Sequence, residues 1–310
     1  MQKKRWALEL PAILVDPKLA TWFSSFILTF AGVYLAISLL VMAAWQLTRN
    51  DSWIEFFFQV PGAFALVLLA SVECLISAFV AGQFSQDHGL HQAWRLIAIS
   101  AGCNLASAMC IQFLSTDLAL NPLRNFGWWS HSTANMIRLA GFALGGPFRF
   151  ALLSGGLAWV LRVYRKSGFL SRLKAMDWIV LTFVGLYAVV EMGGVAVAIH
   201  RGKHPSAIEV LCWPTDTLLW LLLSQGLLLY RSVQEMGHGW IGRCWKSLSI
   251  GVFLVTLADF CEWGMSWGYI PWPWNSLQWC IWIPAAGAFA LAPLYQWEAI
   301  LQARAAGRDA

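Results

Sequence analysis

Long apolar runs alternate with short polar breaks along the whole chain. Read from that pattern, helical spans fall at about 22–46, 54–82, 93–115, 135–161, 177–200, 214–231, 246–268 and 275–297. A helix needs about 20 apolar residues to cross a hydrocarbon layer near 30 Å thick. Each run therefore crosses with some tilt, the sixth near the short limit. The breaks hold residues that end helices: Arg49, Asn50 and Asp51; Asp87, His88 and Gly89; Asn121 and Pro122; then 202–205 and 271–275. The expected fold class is an all-α integral membrane protein, an eight-helix transmembrane bundle. One transmembrane domain, 22–297, follows a cytoplasmic or interfacial segment, 1–21, and precedes a short cytoplasmic tail, 298–310.

Composition agrees with the pattern. Hydrophobic residues make up 59% of the chain and charged residues 12%, where a soluble domain carries about 25% charged residues. Mean hydropathy is +0.60. The net charge of +5 resides mostly in short loops, where Lys and Arg act as orientation signals and not as a nucleic-acid surface. With the N-terminus inside, fifteen Lys and Arg fall on the inner side and five on the outer side. The positive-inside rule thus favours an even span number with both termini cytoplasmic. The expected location is the cell (inner) membrane, multi-pass. The basic N-terminus resembles the start of a signal peptide, but the stretch 6–15 is short and broken by Glu9 and Pro11. It reads as an interfacial segment and not as a cleaved signal.

Two further features narrow the function. No internal repeat is visible, so the inverted-repeat pattern of many secondary transporters is missing. About a dozen residues follow the last span, so a signalling role is expected to act through a partner. Seven cysteines show neither CxxC nor metal spacing and read as small buried hydrophobes. Cys212, Cys261 and Cys280 fall near one membrane face and leave a disulfide open.

Twenty tryptophans are the compositional anomaly. Many stand at span ends, where amphipathic indoles prefer the interface. The run from Glu262 to Trp282 is denser than a belt requires. Trp263 and Trp267, with acidic residues nearby, are candidates for an aromatic box around a cation.

Ionisable residues deep in a span are costly and are functional candidates by default. Five qualify: Glu73, Arg149, Glu191, Asp259 and Glu262. Arg149 follows Gly145, Gly146 and Pro147, a sequence that kinks or unwinds a helix. A guanidinium keeps its proton and needs an acid or a carbonyl at its own depth. Counted from the span ends, Glu191 and Asp259 share that depth, so Arg149 is expected to pair with one of them. Glu73 is read as standing apart, toward the cytoplasmic half. Asp259 and Glu262, three residues apart, share a helix face, and Tyr187 and Glu191 share another. Asp216 is read at the outer start of span six, where an aspartate also caps a helix. Glu191, Asp216, Asp259 and Glu262 together suggest an outward-facing acidic cavity. Packed like charges stay partly protonated unless a cation joins them. Gly141 and Gly145 form a GxxxG pair, a pattern that brings membrane helices close.

The histidines lie in loops or at span ends, so neither a zinc-protease motif nor axial haem ligation is indicated. No nucleophile elbow is present. The residues therefore name no catalytic group, no metal ligand and no cofactor. The leading expectation is a transporter- or receptor-like protein, in a lipid bilayer, whose outer cavity binds or translocates a small cationic ligand or a proton. One alternative is a non-catalytic subunit or sensing module that works with partner membrane subunits. Another is an intramembrane lipid-modifying enzyme acting through those carboxylates.

Overall fold

A computed structural model describes residues 16–85, 88–116, 130–202, 204, 206–236, 239–266, 269 and 277–307. All described secondary structure is helical. Helix α1 covers Pro17–Thr48, α2 Asp51–Gln59, α3 Pro61–Gln83, α4 Gly89–Met109, α5 His131–Ala143, α6 Arg149–Lys166, α7 Ala175–His200, α8 Ala207–Met236, α9 Trp240–Ser266 and α10 Leu277–Ala305. Two π-helical turns interrupt this order: Cys110–Leu114 continues α4, and Leu144–Phe148 joins α5 to α6.

Local chemistry explains the boundaries. Asp16 caps α1 by accepting the Lys18 N–H at 2.9 Å, and Pro17 occupies the first turn, where its missing donor costs nothing. Arg49 ends α1 in a left-handed conformation (φ 54°), and its guanidinium lies 4.5 Å from the Trp45 ring. The Trp45 indole donates to Asp51 at 2.7 Å, closing the turn into α2. Pro61 cannot extend the ladder from α2, so the helix restarts there as α3. Ser130 caps α5 through the Thr133 N–H at 3.1 Å.

Six helical stretches are long and apolar enough to cross a membrane: Lys18–Thr48, Asp51–Gln83, Gly89–Leu114, His131–Lys166, Ala175–His200 and Ile241–Glu262. The chain is thus an all-helical, multi-pass membrane protein. Large apolar side chains such as Leu40, Leu47 and Leu75 stand on its exterior, an arrangement that suits lipid. The α10 helix packs against α9, α1 and α3, and 283–301 is buried almost continuously. Alanines on all its sides let neighbours approach, as van der Waals packing between membrane helices requires. The residues read as a tail from 298 continue this helix to Ala305.

Consecutive rods alternate in direction. At one end Thr21, early in α1, bonds Glu298, late in α10, at 2.5 Å, and Arg304 reaches Gln83 at 2.8 Å. At the same end Ser171, just before α7, meets Ser232, late in α8. The opposite end holds the start of α3, where a Cβ on Gly62 would lie 3.5 Å from Trp279 at the start of α10.

The tryptophans divide between surface and core. Trp22, Trp53 and Trp178 are exposed, as a belt requires, but Trp94, Trp245 and Trp297 are fully buried. Trp94 and Trp245 stack with centroids 5.4 Å apart, tying α4 to α9. Cys261 and Cys280 are free thiols. The side chain of Cys212 lies outside the described residues.

Candidate functional site

The buried charges form two separate centres. The first lies where α7, α8 and α9 meet, in the half of the bundle away from the start of α1. Asp216 is 4% exposed, and Glu191 and Asp259 lie near enough to act on it electrostatically. Tyr187 donates its hydroxyl to Asp259 Oδ2 at 3.3 Å and also meets Glu191. Glu262, one turn beyond Asp259, is a fourth acid near enough to act on Asp259. Asp216 Oδ2 and Glu191 Oε2 are buried without a hydrogen-bond donor. Acids gathered in a buried place favour a proton or a cation among them.

Asp216 enters this centre because α8 begins at Ala207. It therefore sits in the third turn and caps nothing, contrary to the expectation from sequence. Helical spacing places Tyr187 with Glu191 and Asp259 with Glu262 on single faces. Trp267 lies outside the described residues, as do the side chain of Trp263 and the segment 270–276, so the aromatic box falls there.

The second centre corrects the expected pairing of Arg149. Arg149 is 4% exposed, and the carboxylate whose charge acts on it belongs to Glu73, not to Glu191 or Asp259. Its guanidinium lies 4.9 Å from the centroid of Phe289, a cation–π arrangement. Glu73, 3% exposed, accepts from Asn104 Nδ2 at 3.1 Å. The Ser100 hydroxyl donates to the Arg149 carbonyl at 2.9 Å. Arg149 Nε has no acceptor.

Packing explains the correction. The α7 helix, which carries Glu191, rests chiefly on α8 at the edge of the bundle, whereas α6 packs on α4, beside α3. Glu73 is also the thirteenth of the 23 residues of α3, hence at mid-height and not in its inner part.

The π-turn 144–148 touches both neighbours of α6. Gly145 packs directly on Ser107 of α4, and a Cβ on Gly146 would lie 2.7 Å from Thr215 Oγ1, next to Asp216. The Gly141–Gly145 pair thus serves packing within the fold: a Cβ on Gly141 would lie 2.7 Å from Ile111. Pro147, inside the turn, cannot donate to the ladder, which favours the widened π geometry.

A further buried acid falls outside the residues singled out from sequence. Glu298 of α10 is 1% exposed and accepts from Thr21, while its Oε2 has no donor. Arg243 of α9 acts on it electrostatically. Among the described residues, no group of three or more His, Cys, Asp and Glu side chains is arranged to hold a metal ion.

These centres define the class of protein: a multi-pass helical membrane protein with buried, incompletely paired acids. Compared with protein-family models, with curated proteins and with solved structures, the chain finds no match.

Proposed function

We propose that this protein spans the inner membrane with eight helices, both termini cytoplasmic, and binds or translocates a small cationic or protonatable ligand at the α7–α9 centre. The observation that carries the reading is the pair of buried carboxyl oxygens without a donor, on Asp216 and Glu191, beside the hydrogen bond from Tyr187 to Asp259. A positive ligand or a proton supplies what these oxygens lack. Tyr187 holds Asp259 and Glu191 in place, and Glu262 extends the negative field. Both α8 and α10 count as spans in this reading, since an enclosed helix need not be apolar on every side. The count of fifteen basic residues against five supports the orientation.

The test is equilibrium binding of tetraphenylphosphonium and a series of alkylamines to the purified protein. Saturable binding is expected in wild type and is lost in Glu191→Gln and Asp259→Asn, with both variants monodisperse. Wild-type-like binding in both variants refutes the reading.

A second reading, a subunit of a larger assembly, is favoured by one observation. The outer face of α7 exposes Trp178, Ile179, Phe183 and Leu186, and beside it a cavity of about 430 Å³ runs between α7 and Trp220 of α8. Native mass spectrometry from the source membrane separates the two: other chains in fixed stoichiometry support the subunit, and a lone chain or homo-oligomer supports the ligand site.

A further inference from the structure

We infer that the ion handled by this protein is the proton, and that Glu73 and Glu298 carry it from the α7–α9 centre to the opposite end of the bundle. The inference rests on the proposed function and names its substrate. Three buried acids stand at three heights. Asp259 lies seven residues before the end of α9, which at 1.5 Å per residue is about 10 Å from that end. Glu73 lies halfway along α3. Glu298 lies at the far end, paired with the first turns of α1.

Polar groups stand in the intervals between these acids. Gly146 touches Thr215 beside Asp216, and Arg149 follows one turn further along the same helix. Ser77, one turn beyond Glu73, is fully buried, and its hydroxyl has no partner. Ser24, one turn inward from Thr21, is 5% exposed with its hydroxyl likewise unpartnered. Buried groups of this kind are served by internal water or by a passing ion.

Arg149 decides between a proton and other cations. A fixed guanidinium at mid-height repels metal ions and amines. A proton carried on a carboxyl passes it, because the loaded carrier is neutral. Each step moves one proton from a protonated carboxyl to an ionised one through hydroxyl or water, leaving the donor ionised, so charge and atoms balance. The groups acting on Glu73 are Arg149, Asn104 and Cys74; those acting on Glu298 are Thr21, Arg243 and Tyr295.

The experiment uses the full chain in phosphatidylethanolamine–phosphatidylglycerol vesicles with pyranine trapped inside. A potassium diffusion potential set with valinomycin drives proton entry. Wild-type vesicles are expected to acidify faster than empty ones, and Glu73→Gln, Glu298→Gln and Asp259→Asn to fall to the empty-vesicle rate. Ser77→Ala, which leaves every acid in place, is expected to slow the flux, and it keeps the test decisive should Glu73→Gln not fold. Wild-type vesicles that do not acidify overturn the inference. So does a flux that survives both Glu73→Gln and Glu298→Gln. Saturable cation binding lost in Asp259→Asn, without proton flux, retains the outer site and rejects the path. Loss of both rejects both.

Discussion

Helices α7 and α8 meet through charged groups at both ends, and the two meetings are built on opposite plans. At the end shared with the start of α1, Arg231 grips Asp177 with two hydrogen bonds of 2.7 and 2.8 Å and gives a third to Gln234 at 3.1 Å. Ser171 adds bonds to Ser232 and Glu235 across the same junction. Opposite charge and fork-shaped geometry satisfy this end completely. At the other end Glu191, Asp216 and Asp259 lie together; among the described residues, those acting most on Asp216 and Asp259 are acids and Tyr187, and two oxygens lack donors. One end closes its electrostatics within the chain, and the other leaves them open to something that arrives.

Replacement of a single member should therefore act oppositely at the two ends. Arg231→Ala leaves Asp177, whose side chain is 5% exposed, without its partner. The expected loss is about 2 kcal/mol, seen as a lowered thermal midpoint in detergent. Restoring a bidentate pair with the charge swap, Asp177→Arg with Arg231→Asp, should recover much of it. A midpoint unchanged in Arg231→Ala breaks the comparison at its structural end.

At the acidic end the sign reverses. Asp216→Asn removes one of the like charges and supplies amide donors to the remaining oxygens, so a gain of about 1 kcal/mol in stability is expected, with loss of function. The same thermal measurement on this variant checks it. A fall as large as that of Arg231→Ala would mean that the acids serve the fold and not a ligand.

The acidic end of this contrast was read from the sequence and the Asp177–Arg231 end was not, and the misses have physical causes. The apolar runs mark the helices, and helical spacing puts Tyr187 with Glu191 and Asp259 with Glu262. The acid that acts on Arg149 was misjudged because depth was counted along span two from residue 54. The break at Val60 and Pro61 restarts the helix, which raises Glu73 to mid-height in α3. Asp216 was read as a cap because the run of apolar residues begins after it, although α8 itself begins at Ala207. Glu298 was missed because polarity ends the last apolar run at 297, whereas enclosure by α1, α3 and α9 keeps the next residue buried. The core tryptophans are invisible to an interface rule that counts position along a span and not the neighbours across it.

The finest test of the comparison concerns the Tyr187 donor at the acidic end. The Tyr187 hydroxyl reaches Asp259 at 3.3 Å and also meets Glu191. A bond of that length to a shared donor is weak, so Tyr187→Phe is expected to lower stability by about 0.5 kcal/mol. The informative quantity is the coupling. If the hydroxyl works through Asp259, Tyr187→Phe should cost little more in an Asp259→Ala background, and a double-mutant cycle on thermal stability measures that difference. If the cost persists there and vanishes in a Glu191→Ala background, the hydroxyl belongs to Glu191. Among the described residues, the groups that then act on Asp259 are the acids Glu262, Glu191 and Asp216, which makes it the member of the group most in need of an incoming positive charge.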